Sequence, residues 1–387
     1  MRRPDFSSFD RTRPMPCFRW LPEHVAGIAA NPRPQARPFT RAEAPRIAAG
    51  MDLWDHWPVL EANGDVAAIA GGALVIFLAA PILADPEDRH ARARLWLFHR
   101  TPAGWRDLGP VFADGFSPGS REWSGTAIVD PAHSHVTLHF TAAGVRGEPA
   151  ISFRQRLFAT RAALTVTDGV PALSGWTAPV ETLRPDGVDY MIDLEGTGAV
   201  GAIKAFRDPF VFEDPASGQT RLLFAGSRMG SDSDWNGVVG AGTLQEDGTW
   251  RLDPPLVSAD GLNNELERPH AIMHQGLVYL FWSTQRKVFA AGGPSGPTGL
   301  YGLVAPGIDG PWTPINGTGL VFGNPDAAPF QAYSWQVLPD LSVWSFADLV
   351  GLAELPPSTE AARAAFGGTA APVVRLALDG DRASLAA

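Results

Sequence analysis

A chain of 387 residues with one cysteine, Cys17, can form no internal disulfide and no zinc site built on cysteines. A surplus of positive charge is also missing. The 31 Lys plus Arg stand against 41 Asp plus Glu, a net charge of -10, which disfavours nucleic acid as a partner and suits a neutral substrate. Met1 to Trp20 carries five arginines but no apolar signal core and no small-residue cleavage site, so export through a cleaved signal peptide is unsupported. The longest apolar run, Val66 to Ala84, is broken by Gly71, Gly72 and Pro81 and flanked by Asp65 and Asp85, so it reads as two buried strands and no membrane partner is expected. Gly292 to Gly299 is followed by neither Lys-Ser nor Lys-Thr, which argues against a phosphate loop.

What remains is rich in turns and short strands. The 41 glycines and 35 prolines are scattered, long amphipathic helices are absent, and β-type runs alternate with turn residues. The runs are Ala73–Leu78, Arg94–His99, Val136–Thr141, Ile151–Phe158, Arg221–Phe224, Leu277–Trp282, Val343–Phe346 and Val373–Leu378. Residues 1–45, rich in Pro, Arg and Ala, read as an extended arm, and 46–387 as one all-β catalytic body. Gly104-Trp105, Gly175-Trp176, Thr249-Trp250 and Pro311-Trp312 mark a weak repeat, with tryptophans 71, 74 and 62 residues apart. These intervals exceed the ~40–50 residues of common propeller repeats, as blades with long loops would. In a β-propeller the innermost strands converge on a central channel, where distant segments meet.

Three segments carry carboxylates suited to cleaving a glycosidic bond, which takes a proton donor and a second acid at the sugar carbon. Asp55 lies between Trp54 and Trp57, with Pro58 placed at a strand start; it reads either as a turn carboxylate or as a nucleophile walled by two indoles. In Arg207-Asp208-Pro209 the acid is either half of a buried ion pair or, kept ionised by Arg207, an acceptor for two sugar hydroxyls. Glu265 and Glu267 share a face of a strand, so one of them should have a raised pKa, as a general acid requires; the alternative is a solvated strand end. Arg268 points away from them in a regular strand. His133, His135 and His139 share a face by parity, but no nearby acid completes a metal set, and none is expected. Asn316-Gly317-Thr318 matches a glycosylation sequon that is too short to carry weight.

These segments, with Glu122-Trp123-Ser124-Gly125, Ser295-Gly296-Pro297, Gly299-Leu300-Tyr301-Gly302 and Gln331-Ala332-Tyr333-Ser334, resemble the levansucrase and inulosucrase family, glycoside hydrolase family 68, in its Gram-negative-type branch. The resemblance spans roughly residues 50–350. It implies a five-bladed β-propeller with the active site in the central funnel, and a sucrose-acting, retaining fructosyltransferase. On that pattern Asp55 is the nucleophile, Asp208 the transition-state stabiliser and Glu267 the acid/base. Trp54, Trp123, Ser124 and Arg207 match the fructosyl site, and Glu265, Gln285, Arg286 and Tyr333 the glucose or acceptor side. The implied partners are sucrose and sugar acceptors, with no cofactor. Relatives act outside the cell, which implies an extracellular or periplasmic location, although without a signal peptide the cytoplasm fits as well. Four departures stand out: Ala225 where the family has a supporting glutamate, Gln285 and Arg286 where relatives carry histidine, Trp335 in place of a common histidine, and Asn264 where calcium-binding relatives have aspartate. The rivals are a β-fructofuranosidase, an arabinan-cleaving hydrolase and a non-catalytic sugar-binding propeller.

Overall fold

The computed structural model of the chain describes residues 17–29, 33–192 and 203–386. The arm expected at the N-terminus lies outside the described residues over 1–16 and 30–32.

Five groups of antiparallel strands succeed one another along the chain. Blade I runs Met51–Leu60, Ala73–Pro81, Arg94–Thr101 and Gly104–Pro110, and blade II runs Arg121–Val129, His135–Ala143 and Gln155–Thr167, edged by Val170–Ser174 and Val180–Glu181. Blade III comprises Phe206–Asp214, Gln219–Ser227, Gly237–Leu244 and Trp250–Ser258. Blade IV comprises Glu267–His274, Leu277–Thr284 and Gly299–Ala305, edged by Thr313–Pro314 and Leu320–Gly323. Blade V comprises Ala332–Val337, Ser342–Leu349, Phe366–Ala370, Val374–Asp379 and Arg382–Leu385. Blades I and II fuse into one sheet where Val59 and Leu60 pair in parallel with Ala127 and Ile128. The architecture is the expected five-bladed all-β propeller.

Blade-on-blade packing explains the sequence pattern. A second strand is covered by neighbouring blades on both faces, so Ala73–Pro81 and Leu277–Thr284 are nearly continuous apolar runs, buried along almost their whole length. Outer strands meet water: Gly104–Pro110 is mostly exposed, though Trp105 packs on Phe77 and Phe98. The described part of the arm is tied down. Phe18–Arg19 pairs in parallel with Val257 and Ser258. Trp20 is fully buried against Trp282, Phe289 and Tyr301 and donates to the Thr318 carbonyl at 3.0 Å. Arg46, just after the arm, and Arg363 share the buried Asp52 carboxylate of blade I.

Several expectations need correction. Val66 to Ala84 supplies one strand, Ala73–Pro81; before it Ile69 and Gly72 close a tight turn, and a Cβ on Gly72 would lie 2.2 Å from the Arg100 carbonyl oxygen. Pro58 sits within the Met51–Leu60 strand, tolerated because an innermost strand faces the channel along one edge. The strand expected from Ile151 begins at Gln155. Trp176 lies in a loop, donating to the Val111 carbonyl at 2.9 Å, so the fourfold repeat holds as outer-strand starts only near Trp105, Trp250 and Trp312. His133 occupies a turn, with φ 49°, and pairs with Glu61 at 2.9 Å, so the three histidines do not share a strand face.

Candidate active site

All five innermost strands lose register at the same level. The breaks fall between Trp54 and His56, Trp123 and Gly125, Arg207 and Phe210, Glu267 and His270, and Tyr333 and Gln336. A bulge re-aims side chains that alternation would send elsewhere. Asp208, Arg268 and Ser334 adopt left-handed φ values of 61°, 49° and 62°, a conformation that costs non-glycine residues about 1 kcal/mol or more each. Gly125 has no alternative, since a Cβ there would meet the His139 carbonyl oxygen at 1.9 Å.

The bulges gather the expected acids. Asp55 accepts a hydrogen bond from Ser124 Oγ at 2.7 Å. Arg207 reaches three carboxylates: Glu267 at 2.7 Å, Asp208 at 3.6 Å and Glu265 at 3.8 Å. The Tyr333 hydroxyl donates to the other oxygen of Glu267. Trp54 and Trp123 are buried beside Asp55 and Ser124, while the Glu267 side chain keeps 20% of its surface exposed and Asp55 is half-buried. Gln285 and Arg286 stand apart. They lie half-buried and exposed on a turn after Leu277–Thr284, where the backbone N–H of Arg286 donates to Thr298 Oγ1 at 3.1 Å, and neither side chain makes a hydrogen bond or ion pair with the acids.

Electrostatics follow from one cation facing three acids. Burial, opposed by Arg207 and reinforced by Glu267 and Asp55, pushes the Asp208 carboxyl up to about 7, so Arg207 does not hold it ionised as the sequence suggested. Burial and then the adjacent Glu267 raise Glu265 to about 7. Burial works against the charge on Arg207, yet Glu267, Glu265 and Asp208 more than offset it and secure the guanidinium. Burial and Glu267 hold Tyr333 protonated as a donor.

Sequence reading missed a second layer. The bulge at Arg268-Pro269 turns Arg268 inward, where it donates to the His56 carbonyl and Gln336 Oε1 at 3.0 Å each and to Ser334 Oγ at 3.0 Å. Its backbone N–H donates to Asp208 at 3.2 Å. A small cavity of about 10 Å³ beside this layer is lined by Gly125, Asp208, Arg268 and Gln336 among others. Gln155, from the third strand of blade II, accepts from the Phe206 N–H at 3.0 Å and Arg207 Nη1 at 3.5 Å. Ala225 pairs in register with Arg207 and offers it no side-chain oxygen, whereas Gln155 does. Asn264 and Asn236 turn side-chain oxygens toward the Lys204 ammonium, at 3.4 and 3.1 Å. Among the described residues no group of three or more His, Cys, Asp or Glu side chains is placed to hold a metal ion.

A family model described as Levansucrase/Invertase matches residues 17–242 and 235–386. The chain belongs to this family. Its members are enzymes that act on sucrose. The chain is 32% identical to levansucrase LscA of Pseudomonas savastanoi pv. glycinea over 94% of its own length and 92% of that protein. Among solved structures it resembles an inulosucrase from Halalkalicoccus jeotgali bound to kestose, with TM-score 0.87, 35% identity, and coverage of 96% of this chain and 95% of that one. It also resembles the levansucrase from Gluconacetobacter diazotrophicus, with TM-score 0.82, 26% identity, and coverage of 98% and 91%. Family membership agrees with the five blades.

Proposed function

We propose that this member of the levansucrase/invertase family is a fructosyltransferase that cleaves sucrose by retaining double displacement. Asp55, oriented by Ser124, attacks the anomeric carbon of the fructosyl unit. Glu267 protonates the departing glucosyl oxygen, leaving a fructosyl ester on Asp55 and free glucose. Glu267, then a base, takes the proton of the acceptor hydroxyl that displaces Asp55. Asp208 accepts hydrogen bonds from fructosyl hydroxyls, which favour its ionised form and offset the burial that raises its pKa. Trp54 and Trp123 flank the ring, and Glu265, Tyr333, Gln285 and Arg286 lie toward the leaving glucose or the acceptor. Fructan, small sugars and water are the acceptors proposed.

The observation that supports this most directly is the meeting of acids from three inner strands, two around one arginine and the third bonded to Ser124. Incubation with concentrated sucrose, following glucose and fructose separately, tests it. Glucose in excess of fructose is expected. Equal release would make water the acceptor and the protein a β-fructofuranosidase. Release of neither sugar would overturn the assignment.

A further inference from the structure

On the side of the funnel mouth formed by blades I, IV and V, three segments lie where second strands end, and apart from Arg286 the mechanism above gives them no role. Blade I contributes Glu87, Arg89 and His90 on the turn Pro86–Ala91, blade IV contributes Lys287 on the turn Arg286–Val288, and blade V contributes Asp348 near the end of Ser342–Leu349. Their hydrogen bonds divide them. Arg89 is committed: its guanidinium lies 5.5 Å over Trp54 and 4.7 Å over Phe366, and it donates to the Pro86 carbonyl at 2.7 Å and Glu87 at 2.8 Å. With the edge of His90, 6.0 Å from Trp54, it holds the indole beside Asp55.

Asp348 and Lys287 are not committed. The Asp348 backbone donates to the Gln331 carbonyl at 2.9 Å, but its half-buried carboxylate makes no hydrogen bond or ion pair with the described residues, and neither does the Lys287 ammonium. Asp348 is half-buried and Lys287 exposed, so both reach solvent, and polar groups with no partner in the protein are satisfied by water or by a ligand. Burial and the nearby Glu87 and Asp55, opposed by Arg89 and Lys287, push Asp348 up to about 7, so the two groups share the field of the catalytic acids. An anionic ligand here would meet Glu87, Asp348 and Asp55, and a cation would meet Arg89 and Lys287. A neutral polyol, whose hydroxyls both donate and accept, suits an acid and a base held apart.

We propose that Asp348 and Lys287 form an outer hydroxyl-binding pair for the sugar that leaves the fructosyl group or replaces it as acceptor. This rests on the fructosyl-transfer reading above. Return of labelled glucose to sucrose gives a readout whether sugar or water is the main acceptor, because it is the microscopic reverse of cleavage. The Asp55 ester bond breaks, the fructosyl–oxygen bond to glucose forms, and the glucose hydroxyl proton passes to Glu267. Asp348→Ala is expected to lower kcat/KM for sucrose about tenfold. The share of fructosyl groups captured by labelled glucose instead of water should fall in the same proportion, with the melting midpoint no lower than in wild type. Asp348→Asn, which keeps an acceptor oxygen, should recover part of both, and Lys287→Met should show a smaller loss of both. Unchanged kcat/KM and unchanged partition in folded Asp348→Ala and Lys287→Met would overturn the pair, as would an activity loss that tracks a falling melting midpoint and is not recovered by asparagine. Wild-type protein that leaves sucrose intact removes the reading beneath; wild-type turnover with silent variants removes only the pair.

Discussion

The innermost and second strands of each blade lie side by side and are built on opposite principles. Inner strands are short of regular pairing, bulged at one level, turned into left-handed backbone at Asp208, Arg268 and Ser334, and loaded with charge. Second strands such as Leu277–Thr284 keep unbroken register with the strand outside them and hide nearly every side chain. Chemistry and stability are thus separated by one strand spacing, about 4.8 Å. The inner layer can hold strain and uncompensated carboxylates because the layer behind it is over-determined.

The sharpest way to break this comparison is to change one residue in each layer. Glu267→Gln should lower glucose release from sucrose by roughly 10²–10⁴-fold, the usual worth of a general acid, while sucrose still binds. Retained turnover would move the proton donor elsewhere. Phe281→Ala, in the fully buried second strand behind it, should cost about 3–5 kcal/mol in denaturant unfolding, with near-normal turnover in the fraction that stays folded. A loss of turnover without loss of stability would show that the two layers are not separable.

Asp208 tests whether the inner layer is destabilising. Its carboxyl stands near 7 in the folded protein against 3.8 for an ordinary aspartate, so between about pH 4 and pH 7 the native state holds a proton that the unfolded chain releases. Stability must then fall as pH rises through that window, with the full cost present above it. Asp208→Asn should abolish turnover yet melt higher than wild type at pH 8, by up to ~4 kcal/mol, and lose that advantage at pH 4. Asp348 and Glu265, also near 7, titrate in the same range, so the difference between the two proteins is the quantity to follow.

The same division decides what could be read from the chain. The acid segments were legible because each joins a carboxylate to residues that shape its surroundings: Trp54 and Trp57 at Asp55, Arg207 and Pro209 at Asp208. Strand interiors were legible as apolar runs. Arg268 was not, because alternation sends it away from Glu267 and only the bulge brings it inward. Thr141 and Gln155 come from the second and third strands of blade II and meet Phe206, Arg207 and Asp208 through topology alone. The turn before Ala73 was hidden for the opposite reason: a strand buried on both faces and an apolar turn look alike in hydropathy, and only Gly72 marked the difference.

A third layer sharpens the contrast further. On the outer strand Trp250–Ser258, Arg251 pairs with Asp253 at 2.9 Å while keeping 62% of its side chain exposed. Asp253 is already held by Arg221 at 3.0 Å and by the Thr243 hydroxyl, so removing Arg251 leaves no buried charge without a partner. An exposed ion pair of this kind contributes about 0–1 kcal/mol, and salt screens it. Arg251→Ala should therefore shift the denaturation midpoint by no more than that and leave glucose release unchanged. A larger loss would mean that the outer strand shares the cooperativity of the second, and the line between layers would have to be drawn one strand farther from the axis.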